Sequence, residues 1–409
     1  MVFTTPLASQ AAGFALIEQS GSGMGNAYAG GAAIAEDAST IFFNPAGMTY
    51  IEGTQAAGAL HLIKPNAEFN DKGSTKAFSV PAGLVPTGDE GPNAGDLAFV
   101  PNFYFMTEIS PSIKVGVGMN APFGLKTEYD DEWVGRFQAD KSEVKTININ
   151  PSIAVKVNDQ LSFGFGLSAM RAEATLTRQV NRVVAPETSV EIKGNDWGFG
   201  FNLGAIYQVT EGTRIGLAYR SKVEQHLEGR SKSPLVAALN TKVKADVTLP
   251  EAFSVSAFSQ LNDTWDLMGD VTWTRWSRFK ELRIDFANAT PDSVTPENWE
   301  NTMRYSIGVN YRYSDAIKLR AGLAYDEEAI KDEFRTARIP GNDRKWLSLG
   351  ASYQMTPASN FDIGYSHLFI SDSEIDDDQT SAAEGFNGRL RGDFEGSVDI
   401  LSLQLTHNF

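Results

Sequence analysis

Several features are absent from this sequence of 409 residues. It contains no cysteine, which excludes disulfides, thiolate nucleophiles and sulfur ligands for a metal. No run of about 18 apolar residues occurs, so the sequence predicts no transmembrane helix although 42% of the residues are hydrophobic. Basic residues are fewer than acidic ones, 35 against 51, and the net charge of −16 argues against a nucleic-acid partner, which requires clustered cations.

Groups for catalysis are also few. The four histidines follow no recognisable serine or metal-ligand spacing; they are His61, His226, His367 and His407. A nucleotide-binding loop is not supported either, because no parallel βαβ pattern surrounds the glycine-rich segment 21–25. We therefore predict no enzymatic activity, no cofactor and no metal site.

What the sequence does contain is a long alternation of apolar and polar residues from about Gly53 onward, the period of a β-strand with two different faces. In 197–207, for example, Trp197, Phe199 and Phe201 share one face and small residues occupy the other. The runs are about ten residues or longer, whereas strands of soluble sheets have about five or six, and crossing a bilayer takes about nine to eleven. These lengths indicate transmembrane strands.

Short turn signals punctuate the chain about every 50 residues, and a longer polar segment lies between each pair. This is the pattern of an up-and-down barrel with short periplasmic turns and long external loops, and the blade signature of a propeller is missing. Six tight turns and the two flanking strands predict an all-β fold, a 14-stranded antiparallel transmembrane β-barrel over residues 51–409. The six turns are 110–112, 157–160, 210–213, 261–264, 313–315 and 356–359.

The last strand has apolar residues and His407 on one face and ends on Phe409, which resembles the C-terminal assembly signal of outer-membrane proteins. The predicted location is the outer membrane of a Gram-negative bacterium. An acidic run at 372–378 is predicted to be a solvated external loop, with bridging of lipopolysaccharide through divalent cations as the alternative.

Residues 12–50 show no ten-residue alternating strand and are rich in Gly, Ser and Ala. A compact segment ahead of a closed barrel can hang in the periplasm or fold into the lumen, and we predict a hatch that plugs the lumen. Residues 1–11 are interpreted as the remnant of a truncated signal peptide, because Ser9-Gln10-Ala11 has the small-residue spacing of a cleavage site, or as a disordered N-terminus.

Three blocks of sequence resemble the FadL family of outer-membrane long-chain fatty acid transporters. They lie in order along nearly the whole chain: parts of 12–48, including Asn44-Pro45-Ala46; parts of 120–136, including Asn120-Ala121-Pro122-Phe123-Gly124; and parts of 338–348. The resemblance implies a 14-stranded barrel closed by an N-terminal hatch, which agrees with the strand count. It also implies a path in which the ligand passes from an external groove to an inner pocket, the hatch rearranges, and the ligand leaves sideways where the third strand kinks.

The same resemblance implies roles for individual residues. Phe14 is expected in the ligand pocket and Arg178 at the carboxylate head group; Phe123 adds an aromatic side chain for the ligand. At the lateral opening we expect Asn44, Pro45 and Ala46 on the hatch and Gly124 in the kinked strand. The alternatives are an ordinary tight turn for the triplet, a loop-end glycine for Gly124 and an exposed loop arginine for Arg178.

A second head-group cation of the family would lie in the loop before Glu297, but this sequence has no Lys or Arg between Arg283 and Arg304. The predicted function is ligand-gated passive uptake of long-chain fatty acids or similar hydrophobic molecules. The alternatives are uptake of aromatic hydrocarbons, an open porin, which would need a hydrated lumen without a plug, and an outer-membrane lipase. We expect the protein to be a monomer that contacts outer-membrane lipid and lipopolysaccharide. In a crystal, detergent is expected to occupy the ligand pocket.

Overall fold

The computed structural model describes residues 13–409, so the predicted signal-peptide remnant lies outside the described residues. In that part of the chain the strands are β1 (Thr54–Asp71), β2 (Ala98–Ser110), β3 (Ile113–Asn120), β4 (Gly124–Glu128), β5 (Lys141–Lys156), β6 (Leu161–Val180), β7 (Thr188–Thr210), β8 (Thr213–Arg220), β9 (Val223–Lys232), β10 (Thr241–Leu249), β11 (Ala252–Gln260), β12 (Trp265–Thr274), β13 (Glu281–Phe286), β14 (Ser293–Pro296), β15 (Thr302–Arg312), β16 (Ile317–Asp326), β17 (Arg344–Thr356), β18 (Ser359–Ile370), β19 (Ser373–Gln379) and β20 (Gly388–Asn408).

These segments form a closed antiparallel barrel of 14 strands, as predicted. Four barrel strands consist of two consecutive segments each: β3 with β4, β8 with β9, β10 with β11, and β18 with β19. The hairpin of β13 and β14 belongs to the external loop between β12 and β15. The barrel closes because β1 pairs with β2 on one side and with β20 on the other, from Gln55 opposite Asn408 to Asp71 opposite Gly392.

The two faces of the wall are the reverse of those in a soluble protein. On β15, Tyr305 and Ile307 point outward and are 44% and 54% exposed, whereas Arg304 and Asn310 point into the lumen and are buried. Apolar side chains outside and polar ones inside are stable only where lipid surrounds the barrel. The sequence therefore alternates because one face of each strand contacts lipid and the other face contacts the filled lumen.

All six predicted tight turns connect barrel strands at one end, which is the periplasmic end. Aromatic side chains lie there at the rim, including Trp265 against Tyr311 with ring centroids 4.6 Å apart, as expected at a membrane interface. In the described part of the chain, no helix combines the length and hydrophobicity that a membrane crossing requires.

The lumen is plugged by the segment 13–53. It contains the short helices α1 (Gly21–Met24), α2 (Gly31–Ile34) and α3 (Thr40–Phe43) and the 3₁₀ helix Pro45–Tyr50. Further 3₁₀ turns lie in external loops at Ala237–Leu239, Trp276–Arg278 and Asp332–Phe334. The hatch approaches the wall so closely that only glycine fits at several strand positions: a Cβ on Gly216 would lie 1.9 Å from the carbonyl oxygen of Ala32.

The acidic run 372–378 is mostly not the solvated loop that was predicted. Residues Ser373–Gln379 form β19, which extends the barrel outward by pairing with β20, and Asp376 forms an ion pair with Arg389. Ser373 and Ile375 are buried at alternate positions of this strand. This alternation indicates a strand, and it is missed when only the acidic residues of the segment are considered. Among the described residues there is no group of His, Asp and Glu side chains that could hold a metal ion.

Candidate ligand pocket and wall opening

The third barrel strand is interrupted at residues 121–123. Both of its segments pair with β5, but Asn120 lies opposite Asn148 and Gly124 opposite Lys145, so three residues of one strand face two of the other. On the opposite side, the pairing of β3 with β2 stops at Met119, and within residues 13–409 no strand pairs with β4 on that side. The wall consequently has an opening between the outer half of β2 and β4.

The hatch covers this opening from the inside. Two backbone hydrogen bonds join it to the interruption: the N–H of Gly124 donates to the carbonyl of Phe14 (2.9 Å), and the N–H of Leu16 donates to the carbonyl of Pro122 (2.8 Å). The start of the hatch therefore continues the sheet where the third strand leaves it. Barrel and hatch share one set of hydrogen bonds at this point.

Side chains add further bonds across the same opening. The Gln19 amide donates to the carbonyl of Ala121 (2.9 Å), and the Asn102 amide on β2 donates to the carbonyl of Glu18 (2.9 Å). The Tyr104 hydroxyl donates to the carbonyl of Gln19 (2.9 Å). Both edges of the opening are thus bonded to hatch residues, and the opening is closed in this conformation.

Phe14 is the centre of an aromatic cluster on the external side of the hatch. Its ring lies 4.9 Å from that of Trp276, 5.7 Å from Trp299, 6.0 Å from Phe123 and 6.2 Å from Phe279, centroid to centroid and with edges toward faces. The predicted pair Phe14 and Phe123 is therefore brought together in one apolar pocket. The three other rings come from the loop between β12 and β15. From the sequence, this loop is considered only as the place of a second head-group cation and not as a source of aromatic rings.

The residue before Phe14 explains part of the motif. Gly13 has a φ of +62°, and a Cβ there would lie 2.5 Å from the Trp299 ring and 2.8 Å from the Trp276 ring. Only glycine allows the chain to turn at this point and to pass between the two indoles. The Gly-Phe pair thus delivers a phenyl ring into a pocket that is lined by tryptophan.

Next to this aromatic cluster lies an external cavity of about 810 Å³ between the long loops. Arg178 and Arg338 both line it, and Leu282 lines it while also packing against the aromatic cluster. The Arg178 guanidinium donates to the carbonyl of Phe137 (3.2 Å), and that of Arg338 donates to the carbonyl of Gln138 (2.9 Å). The loop between β4 and β5 therefore orients two arginines at the border between a wet cavity and an apolar pocket.

The two arginines are close enough to influence one another. Burial, and next the positive charge of Arg178, lower the pKa of Arg338 to about 10. The nearby Asp140 does not offset both charges, because burial raises its pKa to about 7. Burial also raises the pKa of Glu297 to about 8, so that this carboxyl is largely neutral at pH 7. The end of the cavity with Arg178 and Arg338 therefore suits an anion. The rest of the lining is acidic and contains Asp292, Glu333, Asp376, Asp377, Asp378 and Glu384.

A second arginine, Arg338, lines the cavity beside Arg178, where the sequence had offered no second cation. A second cation was sought before Glu297, whereas Arg338 comes from the loop between β16 and β17, where it lies in the third block, 338–348. The signal was present, since Arg338-Ile339-Pro340 is part of that block. Its position beside Arg178 depends on the packing of this loop against the end of β6, and the two residues are 160 positions apart in sequence.

The triplet Asn44-Pro45-Ala46 lies elsewhere than predicted. The Asn44 amide donates to the carbonyls of Ala32 (2.6 Å), Ala205 (3.1 Å) and Leu217 (3.3 Å), and its oxygen accepts from the N–H of Ala46 (3.0 Å). Asn44 thus caps the 3₁₀ helix that Pro45 begins and ties it to the wall.

The wall beside this triplet belongs to β6, β7 and β8. A Cβ on Gly164 would lie 2.2 Å from the nitrogen of Ala46, and one on Gly204 would lie 1.8 Å from the Asn44 side-chain oxygen. Gly124, on the third strand, contacts Leu16 instead. The placement of the triplet on the hatch side of the opening beside Gly124 is therefore corrected, because the hatch chain returns to a different part of the wall.

Gly124 itself lies at the interruption, but the room left by its missing side chain is already used. It is buried, and a Cβ there would lie 2.9 Å from the Cδ1 of Leu16. Leu16 therefore fills the inner side of the opening at the position where a larger residue on β4 would stand.

The model for outer membrane protein transport proteins of the OMPP1/FadL/TodX family matches residues 2–409. The chain belongs to this family. Outer membrane protein P1 of Haemophilus influenzae is 33% identical over 398 residues, which cover 88% of this chain and 86% of that protein. The long-chain fatty acid transport protein of Escherichia coli strain K12 is 29% identical over 401 residues, 87% of each chain. A crystal structure of a Pseudomonas aeruginosa FadL homologue gives a TM-score of 0.88 at 25% identity and covers 97% of this chain and 100% of its own.

Family membership confirms the predicted location in the outer membrane and the predicted transport of hydrophobic molecules. It also removes the lipase from the alternatives, because the family consists of transport proteins rather than enzymes. The open porin is excluded by the lumen, which the hatch fills. Fatty acids and aromatic hydrocarbons remain as the two classes of ligand.

Proposed function

We propose that this FadL-family protein takes up long-chain fatty acids by passive transport, with a hatch that rearranges when the ligand arrives. One observation carries the proposal: two arginines, Arg178 and Arg338, border the aromatic cluster around Phe14. A fatty acid needs this combination, since its head is an anion and its chain is apolar. Arginine also binds a carboxylate through two parallel hydrogen bonds, which fixes the direction of the ligand.

The proposed sequence of events begins in the external cavity. The carboxylate binds Arg178 and Arg338, and the acyl chain enters the aromatic cluster, where it competes with Phe14 for the same apolar contacts. Displacing the Phe14 ring also strains the hydrogen bond that the Gly124 N–H donates to the Phe14 carbonyl, because ring and carbonyl belong to the same residue. Ligand entry is thereby coupled to the hatch residues that close the wall.

The proposed exit is sideways into the lipid. Each methylene group that avoids water keeps about 0.8 kcal/mol, so a long acyl chain loses far less by leaving through the wall than by crossing the periplasm. Hatch residues, among them Leu16, cover the opening between β2 and β4 from the inside. Movement of that segment away from the wall would open a path that never passes through water.

The alternative, uptake of aromatic hydrocarbons, has one observation in its favour. A smaller cavity beside the hatch residues that follow Phe14 has about 160 Å³, and an engineered cavity of about 150 Å³ in another protein holds benzene. A neutral hydrocarbon, however, gains nothing from the charges of Arg178 and Arg338. We therefore favour a carboxylate ligand.

Binding of oleate and of oleyl alcohol to the purified protein tests the proposal. Arg178→Ala and Arg338→Ala should each weaken oleate binding by about 1.5 to 3 kcal/mol, the scale for a lost charge-assisted hydrogen bond, and should affect the alcohol much less. Arg182→Ala is the matched control, because Arg182 lies in the next loop and does not line the cavity. Equal losses for acid and alcohol, or toluene binding without oleate binding, would refute the fatty-acid assignment.

A further inference from the structure

A second cavity, of about 160 Å³, lies against the hatch residues that follow Phe14 and is distinct from the external one. Its upper part is lined by Leu16, Phe123 and Trp276, which connects it to the aromatic cluster and to the interrupted strand. Its lining on the barrel wall includes Arg304 together with two carboxylic residues, Asp270 and Asp326. The cavity therefore adjoins both the aromatic cluster and the interruption of the third strand.

Arg304 belongs to a row of charges across three neighbouring strands. In register, Arg304 on β15 lies opposite Asp326 on β16, which lies opposite Arg344 on β17. All three side chains are buried. Their sequence separations give no hint of the row, which exists because each residue occupies an inward position of its strand.

The hydrogen-bonding capacity of Arg304 is only partly used. The Nη2 of Arg304 donates a hydrogen bond to the carbonyl of Ala27 on the hatch (2.9 Å). The guanidinium group lies over the Trp346 ring, 5.2 Å from the ring centroid. Its Nε and Nη1 have no acceptor, although the side chain is only 5% exposed. Buried donors of a charged group are costly when unpaired, so a site that keeps two of them beside a cavity is suited to an incoming anion.

The hatch places a carboxyl group opposite these arginines. Glu18 is 1% exposed and its Oε2 receives no hydrogen bond. Burial raises its pKa to about 7; the charges facing it are Arg344, Arg304 and Asp326, and the Tyr28 hydroxyl lies nearby. An ionised Glu18 would repel a second carboxylate from the same arginines, and a neutral one would not.

We propose that Arg304 is a second head-group site, which binds the carboxylate of an alkyl acid after the ligand has passed Phe14. This proposal rests on the proposed function, since the ligand is the same and binds at Arg304 after it has left the external cavity. The cavity accommodates only the carboxyl end and the first carbons, and the remaining chain extends past Pro122 and Phe123 toward the wall opening. Head-group binding at Arg304 therefore directs the acyl tail to the exit.

Trp346 makes the site measurable, because it lies directly under Arg304. Bromine quenches tryptophan fluorescence at short range, so 2-bromohexadecanoate, with the bromine beside the carboxylate, should quench Trp346 when the site is filled. The part of the quenching that disappears in Trp346→Phe reports this site alone. The matched probes are 16-bromohexadecanoate, with the bromine at the far end, and 2-bromohexadecanol, without the charge. Alkylation of thiols does not interfere, since the chain has no cysteine.

With the full chain in detergent at pH 8, we expect Trp346 quenching by 2-bromohexadecanoate and much less by the other two probes. Arg304→Met should raise the half-saturating concentration about tenfold or more, on the scale of a lost charge-assisted bond. Glu18→Gln should lower it, because the repelling charge is gone. Arg220→Met is the control from the same cavity, since Arg220 is bonded to the Phe42 carbonyl (2.7 Å) and lies over its ring.

The wild-type probes alone can overturn the proposal, even if Arg304→Met does not fold. Equal Trp346 quenching by the acid and the alcohol, or stronger quenching by the terminal bromine, would show that no head group binds there. Unchanged half-saturation in a folded, heat-modifiable Arg304→Met would do the same. Failure of the proposed function is a different result, in which the wild type does not bind oleate at all.

Discussion

The lower and upper parts of the hatch are held in different ways. In the lower part, charged side chains of the barrel bond to hatch groups: Arg214 donates to the Ala33 carbonyl (2.6 Å), and Arg320 donates to Glu36 (2.8 Å). The upper part, 13–19, is held by hydrogen bonds to the interrupted strand and to β2 and by the aromatic contacts of Phe14, and no charged side chain of the barrel takes part in these bonds.

The two parts of the hatch differ in whether a ligand can replace the contacts that hold them. A hydrophobic molecule cannot supply the donors that satisfy buried carbonyls of the lower hatch, so displacing that part would leave polar groups unpaired. It can supply apolar contacts in place of Phe14. The hatch is thus divided into an anchored part and an exchangeable part, and only the second lies at the wall opening.

The largest effect is expected from locking the exchangeable part in place. A disulfide between Leu16→Cys and Gly124→Cys would join the hatch to β4 where the two side-chain positions already meet. If uptake needs this segment to leave the wall, labelled oleate uptake should stop in the oxidised double variant and return after reduction.

The control for this experiment is a lock in the anchored part. Thr49→Cys with Ser162→Cys joins the lower hatch to β6, where the two side-chain oxygens lie 2.8 Å apart. This variant should still take up oleate when oxidised. Uptake through an oxidised Leu16–Gly124 lock would rule out the lateral exit and require an axial path past the hatch.

The next effect concerns Phe14. Phe14→Ala removes a buried ring from four aromatic neighbours and should destabilise the upper segment by about 3 kcal/mol, the lower end for a buried Phe-to-Ala change. Amide hydrogen exchange should become faster in residues 14–19, while residues 30–50 keep their protection. Faster exchange throughout the hatch would show that the two parts are one cooperative unit.

Asn44→Ala probes the other part and should have a somewhat smaller effect. The substitution leaves three carbonyls without the Asn44 donor, which costs about 2 to 3 kcal/mol in a buried setting. Exchange should rise in residues 30–50 and stay unchanged around Phe14. Phe14→Ala and Asn44→Ala should therefore each raise exchange in one part of the hatch and leave the other part unchanged.

The barrel could be predicted from the sequence because lipid and lumen impose one simple rule on every strand. Alternation in runs such as 197–207 records which face meets lipid, and the turns at the periplasmic end are short enough to be recognised locally. Strand count and closure followed from those two signals.

The site was only partly predictable because it depends on where distant segments meet. Phe14 and Phe123 were found from the motifs that contain them, whereas Trp276 and Trp299 reach the pocket from a loop without a local signal. Asn44 was assigned to the opening because the triplet is recognisable, yet its amide satisfies carbonyls on another wall. Sequence patterns identify the residue type but not its partner.

The smallest expected effect is a pH dependence of the exchangeable part, through Glu18. Its pKa is about 7 in the closed hatch because of burial, against 4.5 for a solvated glutamate. The closed state therefore binds the proton more tightly than a state in which the segment has moved into water. The resulting stabilisation of the closed state is fully present below pH 4.5 and is lost as pH rises through about 7.

Between pH 5.5 and 7.5 the closed upper segment should lose at most about 2 kcal/mol, and less if Glu18 is only partly hydrated on opening. Hydrogen exchange of residues 14–19, corrected with residues 30–50 of the same molecule as the internal reference, measures this change. Glu18→Gln should remove the pH dependence and keep the segment protected at pH 7.5, since the amide cannot ionise opposite Arg304 and Arg344. A slope that persists in Glu18→Gln would assign the titration to another group. The same slope in both parts of the hatch would mean that protonation acts on the plug as a whole rather than on the segment at the wall opening.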